Sequence, residues 1–436
     1  MRTNKVLTAL TAWALVTAAV IGVSAHDLVP GKKQTAPVLL KGGDLYTVSH
    51  GVLAATDLIF ENGRITSIGK GLSAPAGAQV VDVTGMNVYP GIIAANTTLG
   101  LIEIDQARAT NDMSEVGSNN PDVAAHVAYN PDSEIPPTVR SLGITTALIV
   151  PQGGLMQGRS SLMNLDGWTK EDAAEKMIVG LHMNWPQAAI ITAWWMDRSA
   201  EDQKKQMDEN RRQLAQVFDN ARAYAIAKKA DPSMKIDSRW EAMLPVISGE
   251  LPVFIGASDY RQIEQAVNFA RAQKIKMILV GGAEAWKATR LLKENNIPVV
   301  LGPTNGMPFR ADDSYDQAYK LAAQLDAAGI KWCMSPGGAS WNARNLPFYA
   351  GFAAAFGLSK SAALRGITLS AAEILGVSEQ IGSLDVGKKA TLVVSKGDIL
   401  DPITAQVTNM WIGGRAVDLD NKQTELYRKY SQKGRQ

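Results

Sequence analysis

Pro252-Val253-Phe254-Ile255-Gly256 is a short apolar run, and Asp259-Tyr260-Arg261-Gln262 just beyond it reads as a helix start. Asp259 supplies the short acceptor side chain of an N-cap, and Gln262 three residues on completes a capping box. Ile263, Val267 and Ala270 follow at helical spacing and give that helix one apolar face. The pattern then recurs as strand Lys276–Gly281, helix Ala285–Asn295, strand Ile297–Gly302, helix Ser314–Ala328 and strand Lys331–Ser335. Strands that alternate with helices in this way are joined by crossovers, and crossovers make a parallel sheet.

Upstream, Gly91–Asn96, Thr145–Pro151 and Met177–His182 are further strands. Met207, Leu214, Val217, Phe218, Ala221 and Tyr224 mark a helix from about Asp202 to Lys229. One more strand, the fourth, is expected between Gln187 and Ile247. The reading is an α/β fold in which residues 91–380 form a (β/α)8 TIM-like barrel. Its flanks have β character instead. Residues 37–90 hold apolar runs broken by Gly42-Gly43, Asn62-Gly63 and Thr84-Gly85, of which Asn-Gly is a hairpin signal. Residues 381–420 return to that pattern, so the two ends are expected to form one small composite β-sandwich domain.

Residues 1–25 read as a signal peptide. Arg2 and Lys5 precede the apolar run Leu7 to Val23, and Val23-Ser24-Ala25 suits a signal peptidase. The mature chain is then expected outside the cytoplasm, periplasmic or secreted, with no membrane contact after cleavage. Removing the segment leaves 42 basic residues against 42 acidic ones, so no basic field is present to attract nucleic acid. Cys333 is the sole cysteine and excludes an internal disulfide.

Three stretches carry a family resemblance. Tyr89-Pro90-Gly91-Ile92-Ile93-Ala94-Ala95-Asn96-Thr97-Thr98 resembles the first barrel strand of the amidohydrolase superfamily, whose pattern is P-G-[LI]-I-D-x-H-x-H. Arg344–Gly351 resembles a segment of the imidazolonepropionase-like branch. Ser370–Gly376 with Ile381–Val394 resembles the superfamily's closing signature. The resemblance implies divalent metal, zinc or another, at the C-terminal mouth of the barrel. There the metal would lower the pKa of bound water to about 7 for hydrolysis of non-peptide C–N bonds such as cyclic amides.

The ligand residues that the resemblance implies are absent. Asn96 and Thr98 stand where strand one should carry two histidines. Gly256 and Gly281 stand at the positions on strands five and six, and Ser335-Pro336-Gly337 replaces the aspartate region of strand eight. Only four histidines exist, and of these His126 and His182 fall in the barrel without a partner at ligand spacing. No metal and no cofactor is therefore expected.

Around this mouth, Arg159 in a Gly-rich turn, Glu103 and Asp105 in the long acidic loop after strand one, His182 and Trp341 are candidate ligand contacts. Two functional expectations remain open. One is an exported amidohydrolase-like protein without metal-dependent catalysis of its own. It would bind a small molecule, form a homo-oligomer, or pair with a catalytically complete amidohydrolase. The alternative is a C–N hydrolase with a rebuilt site drawn from Asn96, Glu103, Asp105, His182 and Cys333.

Overall fold

The computed structural model describes residues 29–337 and 340–433; the signal-peptide segment and His26 lie outside the described residues. Two sheets organise the chain. The first contains β1 (Val38–Tyr46), β2 (Val52–Glu61), β3 (Arg64–Gly69), β4 (Gln79–Asp82) and β5 (Asn87–Pro90) from the N-terminal side. The second is the barrel sheet, formed by β6 (Ile92–Thr97), β7 (Ile144–Ile149), β8 (Met156–Asn164), β9 (Ala174–Asn184), β10 (Val253–Ala257), β11 (Met277–Gly281), β12 (Val299–Leu301) and β13 (Trp332–Met334). From the C-terminal side β14 (Leu392–Lys396), β15 (Gln406–Ile412) and β16 (Arg415–Ala416) rejoin the first sheet, β14 pairing antiparallel with β5.

The first sheet curls over its own core. Phe60 of β2 and Trp411 of β15 are four strands apart in pairing order, yet their rings meet edge to face with centroids 5.6 Å apart. Asn62 and Gly63 both take positive φ (52° and 76°) at the turn from β2 to β3, the conformation that the Asn-Gly pair favours.

The eight strands of the second sheet run in chain order from β6 to β13. All neighbouring pairs are parallel except those of β8, which lies antiparallel between β7 and β9. This corrects the expected place of the remaining strand. Residues between 187 and 247 are dominated by the helices Ala200–Ala230 and Ser238–Ile247, and no described strand lies among them. β8 is formed instead by the segment expected to be a Gly-rich turn. Only its start is a turn, where Gly153 and Gly154 take φ of +87° and +67°. A hairpin places β8 directly beside β7, so no crossover is needed and the strand runs antiparallel.

Alternation sorts the barrel residues. Leu148, Leu162, Val179, Phe254, Ile278, Val300 and Cys333 fill the lumen, and Ala371, Ala372 and Leu375 of the helix Leu369–Leu375 close its N-terminal end. The opposite faces, including Leu181, Val253, Leu279 and Val299, pack outward on the helices. Along the seam between β13 and β6, Ser335 Oγ donates to the Asn96 carbonyl (3.1 Å) and Ile93 N–H donates to Ile367 O (2.9 Å). The capping box also forms, with Asp259 accepting from the Gln262 amide and the Gln262 side chain closing back on the cap.

Buried ion pairs fix the barrel to the flanking segments. Asp166 faces Arg140 (3.7 Å) and Arg415 (3.4 Å) and accepts from Gly31 N (3.2 Å), which joins three distant parts of the chain. Glu175 at the start of β9 receives Lys389 Nζ at 2.7 and 2.8 Å. Asp166→Ala removes the buried carboxylate that faces both guanidinium groups and is expected to lower unfolding free energy by about 3–5 kcal/mol, measured by urea denaturation.

Candidate active site at the barrel mouth

The C-terminal ends of the parallel strands define the mouth, where a barrel of this kind collects its functional groups. β6 approaches it through an irregular register between Ala94 and Thr97. Asn96 sits in that irregularity with φ of +60°, a left-handed conformation that asparagine tolerates better than most residues. Asn96 and Thr98 are both half-buried. Ser335 Oγ bonds the Asn96 carbonyl and also accepts from Gly337 N (3.1 Å), so the seam itself uses that hydroxyl.

Opposite the seam, the two glycines do not leave empty ligand sockets. A Cβ at Gly256 would lie 2.9 Å from Asn184 Oδ1, and one at Gly281 would lie 3.0 Å from Ser258 Oγ. Gly281 has φ of +91°, a backbone that side-chain-bearing residues rarely adopt. Gly337 has φ of +56°, and its Cβ would press on Pro303 Cδ at 2.7 Å; Pro336 beside it is buried. Asn184 is held in turn by Gly154 O, to which its Nδ2 donates (3.2 Å), and by Leu155 O, to which its backbone N–H donates (2.9 Å). Sequence reading missed Asn184 and Ser258. Asn184 lies two residues past His182 on β9, and this same-face spacing was the available signal.

His182 is brought to the lumen just below Asn184. Its ring stacks on Phe254 with centroids 4.4 Å apart, and its Nε2 is buried without a hydrogen-bond partner. Burial pushes its pKa down to about 3, so it is neutral at physiological pH and a weak base. Cys333 is fully buried in the lumen core, and burial raises its thiol well above the usual range. The remaining candidates are dispersed. Arg159 pairs with Leu181 on the outer face of β8, and its guanidinium donates to Asp122 O (2.7 Å). A residue on that face points away from the lumen, so Arg159 is not a mouth clamp. Glu103 and Asp105 lie in the loop after β6, where Glu103 N–H bonds Thr110 O and Asp105 is exposed. Trp341 is exposed on the segment after β13, while Trp194 and Trp195 are exposed after β9.

A charged clamp sets one rim. Glu284, buried just beyond β11, accepts from Arg310 Nη2 (3.0 Å) and Nε, Lys287 Nζ (2.6 Å) and the Tyr260 amide (2.7 Å). The Arg310 bonds, ahead of those from Lys287 and Tyr260, hold its carboxyl down at about 2. The clamp fastens the 302–316 loop to the end of β11 and is consumed by its own partners.

Among the described residues, no three His, Cys, Asp or Glu side chains converge to hold a metal ion. The mouth offers amides and hydroxyls instead, a donor set that does not fit the divalent ion expected of the scaffold.

Fold and mouth together define a TIM-like α/β barrel with a composite sheet at its flank. Residues 309–417 match the amidohydrolase family. An amidohydrolase from Thermotoga maritima MSB8 shares the fold over 87% of this chain and 99% of its own, with a TM-score of 0.78 and 22% identity. A dihydroorotase of Geobacter sulfurreducens (strain ATCC 51573 / DSM 12127 / PCA) is 50% identical over 56 residues, which are 13% of each chain. Amidohydrolase tasK of Hapsidospora irregularis is 22% identical over 411 residues, 83% of this chain and 39% of its own length. This chain thus spans well under half the length of either curated relative. The likeness to the amidohydrolase family is one of sequence over residues 309–417 and of fold over most of the chain.

Two substitutions test the geometry. His182 has a folded pKa below its unfolded value, so the unfolded chain takes the proton first. Stability therefore falls as pH drops from about 6.5 toward 3, with a slope of up to about 1.4 kcal/mol per pH unit. His182→Leu should remove that slope from denaturation midpoints measured across the window. Gly281→His is expected to lose about 1–3 kcal/mol to backbone strain, and calorimetry should find no zinc site gained.

Proposed function

We propose that this chain is an exported amidohydrolase-type barrel that lacks metal-dependent hydrolysis on its own. It serves as a ligand-binding protein or as the partner subunit of a catalytically complete relative. The observation that carries the reading is the occupied, uncharged ligand space. Asn184 and Ser258 stand against Gly256 and Gly281, and Asn96 and Thr98 fill the strand-one positions. Hydrolysis of an amide needs a nucleophile stronger than neutral water, supplied by a metal or a positioned base. A buried histidine with its pKa near 3 and a buried thiol are poor substitutes. Amides and hydroxyls can orient a ligand through hydrogen bonds without activating water.

Export rests on Arg2, Lys5, the apolar run to Val23 and the Val23-Ser24-Ala25 site. No described helix is long and apolar enough to cross a membrane. The names of the relatives, amidohydrolase and dihydroorotase, supply the competing reading of a hydrolase with a rebuilt site.

Elemental analysis of the purified mature chain should find well under one equivalent of zinc, manganese, iron or nickel. Its melting temperature should not move on adding zinc or a chelator, since only an ion that binds the folded state shifts it. A stoichiometric metal that survives dialysis, with a melting point that falls on chelation, would overturn the reading.

A further inference from the structure

Beside the mouth, a cleft of about 400 Å³ opens between the loop after β6 and the helices Ala200–Ala230 and Ser238–Ile247. Its walls include Ser118 and Asn119 from the loop, Gln216 and Asn220 from the long helix, and Arg239 and Trp240 from the shorter one. One buried polar atom here takes no protein partner, and two exposed amides present free ends to the cleft. Asn119 Oδ1 is buried and unbonded. Gln216 Nε2 donates to Asn220 Oδ1 (2.9 Å), which leaves Gln216 Oε1 as an acceptor and Asn220 Nδ2 as a donor on adjacent turns. A buried acceptor without a protein partner is uncommon, and an ordered water in the wall would satisfy it.

Charge in the cleft cancels. Arg239 forks onto Asp237, with Nε to Oδ1 at 3.3 Å and Nη2 to Oδ2 at 3.1 Å, and its guanidinium lies 5.6 Å from the Trp240 ring centroid. An anion would meet a cation already neutralised, and an apolar ligand would strand the free amide ends. A ligand that fits offers neighbouring hydroxyls that both donate and accept, together with a C–H face for the indole. The walls are tied together beforehand: Ser238 Oγ donates to Asp122 Oδ2 (2.6 Å), and Arg159 donates to Asp122 O.

We propose that this cleft binds a neutral saccharide or polyol. Leu155 also lines it, and the same residue's carbonyl accepts the Asn184 N–H, so only the turn at 154–155 separates the cleft from the mouth. The proposal does not depend on the metal question, and metal analysis and sugar titration fail independently of one another.

The test is calorimetric titration of the purified mature chain with a panel of neutral mono- and disaccharides and polyols at millimolar concentrations. At least one member should saturate. The double variant Gln216→Ala/Asn220→Ala changes two exposed helix positions and should weaken that member about tenfold or more, equivalent to about 1.4 kcal/mol, with the melting temperature unchanged. Trp240→Phe should weaken it as well, and a sugar phosphate should bind no tighter than its neutral parent. Saturation by no panel member would overturn the proposal, as would a double variant that binds like the parent chain or a clear preference for the phosphorylated sugar.

Discussion

A parallel sheet must bury both faces, and in this chain the inner face is buried by side chains from the strands themselves. Phe254, Ile278, Val300 and Cys333 meet Leu148, Leu162 and Val179 in the lumen, and the helix Leu369–Leu375 floors it. Because the lumen is packed, it transmits position: each strand end is held where its lumen residue fits. The seam between β13 and β6 depends on the same packing, since its described links are single bonds such as Ser335 to Asn96. The flanking sheet is then anchored to this cylinder through Asp166 and Glu175, which pair with Arg415 and Lys389 from the C-terminal segment.

At the open end the same scaffold presents neutral chemistry. Two titratable groups near the mouth are engaged or suppressed. Glu284 is saturated by Arg310, Lys287 and the Tyr260 amide, and His182 is kept uncharged by burial against Phe254. Beside them the strand ends carry amides and hydroxyls: Asn96, Thr98, Asn184 and Ser258. Such groups select ligands by shape and hydrogen bonding. They can donate hydrogen bonds to developing negative charge, but they do not lower the pKa of water as a bound metal does. The neighbouring cleft at Trp240 extends this uncharged polar surface, separated from the mouth by one turn.

Much of the fold was legible because strong local signals agreed with the global arrangement. The Asp259–Gln262 capping box, the apolar face of the long helix and the Asn62-Gly63 turn all formed as read. β8 was not legible. Gly153, Gly154 and Gly158 read as a turn, and the hydroxyls of Ser160 and Ser161 hid a strand buried on both faces. The search for a strand between 187 and 247 followed from counting crossovers, and an antiparallel hairpin strand needs none. Arg159 was misread for the same reason: once its segment is a strand, alternation turns it outward.

The sequence by itself determined the barrel, the composite sheet and which residues end the barrel strands. Those follow from periodicity, turn chemistry and alignment to a strand pattern, all of which are local. Only the tertiary structure decided what stands against the glycines at two of those strand ends. Asn184 against Gly256 and Ser258 against Gly281 are contacts between neighbouring strand ends, fixed by the pairing of β9 with β10 and of β10 with β11. The protonation state of His182 was likewise decided by burial against Phe254, a property of the packed lumen that no stretch of chain carries alone.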